Sequence, residues 1–309
     1  MPEFIHKPVM VAEVSAALEP KPGGRYVDGT VGGGGHAAAI LRESTPSGWL
    51  FGCDRDGAAL EAAAARLADF CGRFELKRGN FSDLADWLEP ESCDGVLLDL
   101  GVSSPQLDSV GRGFSFQQSG PLDMRMDTRQ PLTAERLVNQ ASVDELIRIF
   151  RDLGEEPEAR RLARAIESER RLRRFETTRQ LAELIEKVSR PRGKRLHPAT
   201  RVFQALRMAV NDELGSLRCG LEAALKILKP RGRLAVITFH SGEARLVKEF
   251  GREYSRVYAL LGEVDVPELR KPVAAKLKWV QRKAIRPGAE ELAANPRAHS
   301  AQLRVLEKI

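Results

Sequence analysis

The stretch that most constrains the fold is YVDGTVGGGGH, which occupies residues 26–36. Two apolar residues end on the acid Asp28, and four consecutive glycines precede a run of helix-forming residues that starts at Ala37. Strand, glycine turn and helix in this order let the backbone approach a ligand closely and aim a helix N-terminus at it. The pattern predicts a loop for a nucleotide-type cofactor rather than a surface linker. Gly32, Gly34 and Ala37 also fit the dinucleotide pattern G-x-G-x-x-G/A, so the loop alone does not identify the cofactor.

Apolar runs alternate with helical patterns through the first hundred residues. The run at 94–100 is nearly all apolar, as expected of a central parallel strand buried on both faces. This alternation predicts a parallel sheet with right-handed crossovers. Strand patterns occur at 26–28, 49–54, 74–77, 94–100, 233–239, 277–280 and 302–306, and the last two are expected to pair with each other.

The alternation stops between the fourth and fifth strands. An irregular stretch, 101–133, is followed by helical patterns only, at 134–139, 143–152, 158–171, 178–188 and 197–217. We therefore predict an α/β domain, residues 1–108 and 214–309, interrupted by an inserted helical domain, 109–213. A parallel sheet that is finished by a late antiparallel strand resembles the class I, Rossmann-like fold of S-adenosyl-L-methionine (AdoMet)-dependent methyltransferases.

Composition indicates the class of protein and the compartment in which we expect it. It has 309 residues, 42% apolar and 30% charged, which is typical of a globular protein. Its four cysteines, Cys53, Cys71, Cys93 and Cys219, are scattered, so we expect neither a disulfide framework nor a metal site. No run approaches the length of a membrane span and no signal segment is recognisable, so we expect a cytoplasmic protein without a membrane partner.

Ligands of open α/β sheets bind at the carboxyl ends of the strands, and four such ends carry distinctive residues, namely Asp28 with the glycine loop, Asp54, Asn80 with Phe81, and Asp99. Asp54 ends the second strand and is placed to accept hydrogen bonds from ribose hydroxyls, although it could instead cap the helix that starts near Asp56. Phe81 follows the third strand and could lie against an adenine ring or belong to the core. His36 could contact the cofactor or serve only in helix capping and packing. The residues alone leave these alternatives open.

Asp99 ends the fourth strand and starts the run DLGVSSPQ. Methyl transfer to an exocyclic amine needs acceptors that orient the amine N–H bonds and leave the lone pair free, and a carboxylate can supply one. Asp99 is therefore the candidate catalytic residue, with a structural or cofactor-holding role as the alternative. Ser104, in the polar turn that follows, is a candidate substrate contact.

Positive charge is concentrated in the predicted insert. Between Arg160 and Arg201 we count fourteen Lys and Arg against five Asp and Glu, whereas the whole chain carries a net charge of +6. Such an excess suits a phosphate backbone, although a solvated helical face is the alternative. The candidate RNA contacts in this region are Arg192, Lys194, Arg195 and Arg201.

Specific sequence runs occur in order along the whole chain, and together they resemble the RsmH (MraW) family of ribosomal RNA small-subunit methyltransferases. These runs are HKPVMVAE at 6–13, DGTVGGGGH at 28–36, DGVLLDLGVSSPQL at 94–107, RGFSF at 112–116, GPLDMRMD at 120–127, HPATRVFQALRMAVNDEL at 197–214, FHS at 239–241, RKAIRP at 282–287 and NPRAHS at 295–300. The chain departs from the family pattern at Pro157, Gly242 and His299.

The resemblance implies AdoMet-dependent N4-methylation of one cytidine in the decoding centre of 16S rRNA, within the small ribosomal subunit. It also implies a methyltransferase domain with a helical substrate domain inserted, and it is compatible with a homodimer. The cofactor-binding residues that it implies are Gly34, Gly35, His36, Asp54, Phe81, Asp99 and Gln106.

Two other functions are compatible with parts of the pattern. The Ser-Ser-Pro turn is loosely similar to the active-site turn of DNA amino methyltransferases, and a non-catalytic RNA-binding assembly factor could keep the fold alone. A dinucleotide oxidoreductase fits poorly, because nothing resembles a hydride-transfer site and the insert is strongly basic.

Overall fold

A computed structural model describes residues 8–190, 197–260 and 270–309. The chain divides into two compact units. The first, which we call the sheet unit, comprises Met1–Gly101 and Leu214–Ile309, and the second, the helical unit, comprises Val102–Glu213. The sequence placed the first boundary after residue 108, but residues 102–108 pack with the helical unit.

The sheet unit is built on a seven-stranded sheet and a small two-stranded sheet. In chain order the strands are β1 Arg25–Asp28, β2 Trp49–Asp54, β3 Phe74–Arg78, β4 Cys93–Asp99, β5 Leu228–Thr238, β6 Tyr258–Leu260, β7 Arg270–Pro272, β8 Leu277–Trp279 and β9 Gln302–Lys308. The order in the large sheet is β3-β2-β1-β4-β5-β9-β8, while β6 pairs with β7.

Strand direction in the large sheet confirms the prediction of a parallel sheet finished by antiparallel strands. Strands β1 to β5 pair in parallel, for example with Val27 opposite both Phe51 and Val96. Strand β9 runs antiparallel to β5 on one side and to β8 on the other. The carboxyl ends of β1, β2, β3 and β4 therefore lie at one edge of the sheet.

Helices connect and cover the strands. In chain order they are α1 Val11–Leu18, α2 Gly35–Glu43, α3 Gly57–Arg66, α4 Leu84–Trp87, α5 Ser104–Asp108, α6 Ala134–Gln140, α7 Val143–Arg148, α8 Ala159–Arg170, α9 Thr178–Val188, α10 Thr200–Asn211, α11 Glu213–Ile227, α12 Ser241–Tyr254 and α13 Ala289–Ala294. Most of them lie within a residue or two of the helices that the sequence predicted.

Alternate residues of the central strands point to opposite faces of the sheet, and each face carries its own core. Val27 and Leu98 pack with side chains of α11 and α12 in one core. Tyr26 and Leu97 pack with side chains of α1 and α2 in the other. Burial on both faces explains why these strands read as continuous apolar runs.

The helical unit has one core, formed by the apolar stripes of α6 to α10. Phe150, Leu162, Ile185 and Leu206 are at most 1% exposed within it. The predicted helix at 197–217 is wrong as a single element, because Asp212 adopts a left-handed conformation with φ 44° and separates α10 from α11. A continuous apolar stripe does not reveal such a break, since apolar residues recur at helical spacing on both sides of it.

Candidate active site

The glycine loop joins β1 to α2 and is fixed by backbone hydrogen bonds to its neighbours. The N–H of Gly29 donates to the carbonyl of Leu97 at 2.9 Å, and that of Val31 donates to the carbonyl of Cys53 at 3.0 Å. Gly34 precedes α2 with φ 77°, a left-handed conformation that favours glycine. The first N–H groups of α2, from Gly35 onward, have no acceptor within the helix and give this end partial positive charge.

Two of the four glycines are required by packing inside the protein. A Cβ on Gly34 would lie 3.1 Å from the Cα of Ala63, and a Cβ on Gly35 would lie 2.6 Å from the Cγ of Pro8. A Cβ on Gly32 would meet only the carbonyl oxygen of Thr30, at 3.8 Å. The sequence argument assigned the glycines to ligand approach; packing is a second reason for glycine at Gly34 and Gly35, whose cofactor contacts stay a prediction.

Asp54 at the end of β2 organises the loop. Its Oδ2 accepts from the N–H of Gly32 at 2.9 Å, and its Oδ1 accepts from the N–H of Asp56 at 2.9 Å. Burial raises the pKa of Asp54 to about 6, although these N–H groups lower it. Asp56, and not Asp54, caps α3, because its side chain accepts from the N–H of Ala58 at 3.2 Å. The capping alternative for Asp54 is therefore wrong, while its contact with ribose stays a prediction.

Asp28, His36 and Asp99 form a titratable cluster at the ends of β1 and β4. The Nε2 of His36 lies 3.5 Å from the Oδ2 of Asp99, which is too long for a strong hydrogen bond. Oδ2 of Asp28, Oδ1 of Asp99 and both ring nitrogens of His36 are buried without a hydrogen-bond partner among the described residues. Buried polar atoms without partners are costly in a folded protein, and they indicate a place where a polar ligand binds.

The electrostatics of this cluster follow from burial and mutual proximity. Burial raises the pKa of Asp28 to about 7, against the opposing effects of His36 and of the N–H of Thr30. Burial by itself lowers the pKa of His36, but the carboxylates of Asp99 and Asp28 outweigh it, so the net shift is upward. Sequence reasoning placed Asp28 at a strand end beside the loop but did not predict its perturbed pKa, since the sequence carries no sign of its burial.

A hydrogen bond from the backbone of Asp99 to the glycine loop fixes the position of Asp99. Its N–H donates to the hydroxyl of Thr30 at 2.7 Å. Thr30 in turn donates its own N–H to the Oδ1 of Asp28 at 3.2 Å. Thr30 therefore links the ends of β1 and β4, a function that sequence reasoning missed.

Phe81 lies directly after β3, in a turn capped by Asn80. The Nδ2 of Asn80 donates to the hydroxyl of Ser216 at 2.9 Å. The ring of Phe81 packs so closely on Gly220 that a Cβ there would lie 2.3 Å from its Cδ2. Phe81 is half-buried and packs against the α11 side of the core, so the core alternative describes part of its surface. Its contact with adenine stays a prediction.

Several candidate residues belong to the helical unit. Gln106 is buried there, and its Oε1 accepts from the N–H of Ser103 at 3.0 Å in the capping box of α5. Ser104 is the first residue of that helix. Arg201 donates to the carbonyl of Glu155 at 3.0 Å. The roles of these three side chains towards cofactor or RNA stay predictions.

Arg192, Lys194 and Arg195 lie outside the described residues.

Much of the positive charge predicted for the insert is neutralised within the helical unit. Arg171 pairs with Glu167 at 2.8 Å, Arg161 pairs with Glu158 at 3.0 Å, and Arg174 pairs with Glu135 at 2.7 Å. Arg170 also contacts Glu167, and it donates to the carbonyls of Val138 and Ala141. Arg160, Arg164 and Arg173 are exposed and make no ion pair within the described part of the chain.

His240 caps the N-terminus of α12. Its Nδ1 accepts from the N–H of Glu243 at 3.4 Å in the capping box of α12.

Among residues 8–190, 197–260 and 270–309, no helix combines the length and hydropathy that crossing a bilayer requires.

The site fits AdoMet on two observations. Buried carboxylate oxygens of Asp28 and Asp99 have no hydrogen-bond partner in the described part of the chain, and AdoMet carries positive sulfonium and ammonium groups that such oxygens stabilise. The loop, the N-terminus of α2 and the acid at the end of β2 occupy the strand ends where nucleoside cofactors bind in α/β sheets. The sheet unit thus has the class I fold, and the protein is an AdoMet-dependent methyltransferase.

A model of the MraW methylase family matches residues 3–309, so the chain belongs to that family. It is 52% identical to the Ribosomal RNA small subunit methyltransferase H of Syntrophotalea carbinolica over 316 aligned residues, which cover 99% of this chain and 98% of the relative. It is 49% identical to the protein of the same name from Symbiobacterium thermophilum, over 99% and 97% of the two chains. A putative rRNA-methylase from Clostridium thermocellum has a solved structure with TM-score 0.46 and 13% identity, covering 99% and 100% of the two chains.

Proposed function

We propose that the protein transfers a methyl group from AdoMet to the N4 atom of a cytidine in the decoding centre of 16S rRNA. The relatives' name supports small-subunit rRNA as the substrate. The observation that carries the reaction type is the carboxylate of Asp99, which has one buried oxygen without a partner at the mouth of the predicted cofactor site.

Bound AdoMet supplies an electrophilic methyl group on its sulfonium. The N-terminus of α2 and the loop before it hold the cofactor at the strand ends. Asp54 accepts hydrogen bonds from the ribose hydroxyls, and Phe81 lies against the adenine. Because Asp54 also binds the N–H of Gly32, it couples the shape of the loop to the cofactor.

Asp99 orients the amine of the substrate. His36 lies beside its Oδ2, which leaves Oδ1 as the acceptor for an amine N–H bond. An amine held in this way directs its lone pair at the methyl carbon. Positioning of this kind is the main contribution that a protein makes to methyl transfer, since the sulfonium is already reactive.

The helical unit contributes cations for RNA. Arg160, Arg164 and Arg173 are exposed without ion pairs among the described residues, so they are available to phosphates. Ser104 and Arg201 are further candidate contacts, as are Arg192, Lys194 and Arg195 from the sequence.

Asp99→Asn tests the role of Asp99. The amide keeps the size of the side chain and one oxygen, but it removes the charge and turns one acceptor into a donor. We expect kcat for methylation of small ribosomal subunits to fall by about 100-fold, the scale of a lost catalytic hydrogen bond. The assay follows transfer of labelled methyl groups from AdoMet, with cofactor affinity measured separately by calorimetry.

Wild-type kcat in the Asp99→Asn variant would contradict the role of Asp99. Preferred methylation of single-stranded DNA over small subunits would instead favour the DNA amino methyltransferase alternative. Absence of AdoMet binding by the wild-type protein would favour a non-catalytic assembly factor.

A further inference from the structure

A second basic surface lies in the sheet unit, outside the insert. Residues 270–286 contain seven Lys and Arg and no Asp or Glu, although the whole chain carries 43 acidic against 49 basic residues. We call this set the C-terminal basic strip. Its members are Arg270, Lys271, Lys276, Lys278, Arg282, Lys283 and Arg286.

All seven side chains of the strip are exposed. Lys278 forms an ion pair with Glu307 at 2.8 Å. The guanidinium of Arg270 lies 4.3 Å from the ring centroid of Tyr258, and the Nζ of Lys276 lies 5.3 Å from that of Tyr254. The strip therefore combines free cations with aromatic rings that fix two of the others.

Four members of the strip make no ion pair with any described residue. They are Lys271, Arg282, Lys283 and Arg286. In contrast, Arg161 and Arg170 of α8 pair with Glu158 and Glu167 in the helical unit. Among the described residues, the strip therefore adds four cations without ion pairs to those that the insert presents.

Protection of a sheet edge explains only part of the strip. Strand β8 is the edge strand of the large sheet, and lysines on edge strands prevent pairing with other chains. Lys276 and Lys278 fit that purpose. Ile285, beside Arg286, pairs with Leu303 of β9, so edge protection can also apply to Arg286. Arg282 and Lys283 follow β8 and precede this bridge, so edge protection does not account for them.

We propose that the C-terminal basic strip binds the phosphate backbone of the substrate RNA, as a contact surface of the sheet unit in addition to those of the insert. The proposal rests on the proposed function, because that function makes RNA the partner. RNA fits better than an anionic membrane, since the exposed large apolar residues near the strip, among those described, are Val257, Val273, Val280 and Ile309, and none of them is aromatic. A polyanion such as RNA binds where several unpaired cations occur together without carboxylates among them.

The test neutralises three cations that have no partner in the described structure. The triple variant Arg282→Gln, Lys283→Gln and Arg286→Gln is compared with wild type for binding to 16S rRNA transcript over a range of salt concentrations. Each lost phosphate contact reduces the magnitude of the negative slope of log K against log salt by about 0.7–0.9. We therefore expect this magnitude to decrease by about 2 to 3 in the triple variant.

The matched control neutralises three exposed cations elsewhere in the sheet unit. Arg66, Arg218 and Lys248 are exposed and make no ion pair among the described residues, so Gln at each should keep the wild-type slope. Both triple variants should keep wild-type affinity for AdoMet, which verifies that the fold of the sheet unit is intact.

Three outcomes would overturn the proposal. The strip variant could keep the wild-type slope, or the control could lower it equally. Alternatively, the strip variant could lose binding to phosphatidylglycerol vesicles while binding of 16S rRNA is unchanged, which would identify a membrane surface. Failure of the wild-type protein to methylate small subunits would contradict the proposed function alone, because the salt slope is measured without AdoMet.

Discussion

Replacing Asp28 with Asn tests whether burial raises the pKa of this acid, which lies beside the glycine loop, as strongly as the structure indicates. Asp28 is 1% exposed, and burial raises its pKa to about 7 from an ordinary value of 3.8. The folded protein therefore binds this proton more tightly than the unfolded chain does. Between pH 4 and pH 7 the unfolded state holds fewer protons, so the free energy of unfolding falls as pH rises.

The magnitude follows from the shift. At about 1.4 kcal/mol per pKa unit, a shift of about three units corresponds to about 4 kcal/mol lost between pH 4 and pH 8. Asn cannot ionise, yet its oxygen can still accept from the N–H of Thr30. We expect Asp28→Asn to match the wild type near pH 4 and to be more stable than it by up to about 4 kcal/mol at pH 8.

The assay is urea unfolding followed by tryptophan fluorescence at several pH values. The three tryptophans, Trp49, Trp87 and Trp279, all belong to the sheet unit, so the signal reports that unit. Asp94→Asn is the control, because Lys229 at 2.8 Å helps to lower the pKa of Asp94, and its replacement should cost stability as pH rises. A difference between Asp28→Asn and wild type that does not change with pH would refute the reasoning.

Two further substitutions test the cofactor loop. Asp54→Asn should raise the Kd for AdoMet by about 10- to 100-fold in calorimetry, because charged hydrogen bonds contribute about 1.5–3 kcal/mol each, and an unchanged Kd would contradict the ribose contact. Gly34→Ala should weaken AdoMet binding and stability more than Gly32→Ala, since both have positive φ but only the Cβ at Gly34 would meet Ala63, at 3.1 Å. Equal effects of the two alanines would show that packing on Ala63 does not hold the loop.

Most of the fold could be predicted from local patterns of apolar residues in the sequence. Apolar runs ending on Asp28, Asp54 and Asp99 gave the central strands because each is buried on both faces. The helix break at Asp212 could not be found, since a left-handed conformation at one residue interrupts no apolar stripe. The boundary between the two units at Val102 could not be predicted either, because the sequence of a short irregular run does not show which core its side chains join.

The site was less accessible from sequence than the fold. Strand ends brought Asp54, Phe81 and Asp99 to one edge, because that placement follows from topology. The pKa of Asp28 depends on burial by distant elements, which sequence does not record. Ion pairs such as Arg174 with Glu135 join residues far apart in the chain, so counting charges overstated the basic character of the insert.

The central claim is that the cluster at the strand ends directs methyl transfer to an exocyclic amine of ribosomal RNA. Its most direct test is mass spectrometry of nuclease digests of small-subunit RNA, after incubation of unmethylated subunits with the protein and AdoMet. The account predicts one additional methyl group on the N4 atom of a cytidine in 16S rRNA, nearly abolished by Asp99→Asn. A methyl group on a ring carbon or a ribose oxygen, or transfer that is unaffected by Asp99→Asn, would contradict it.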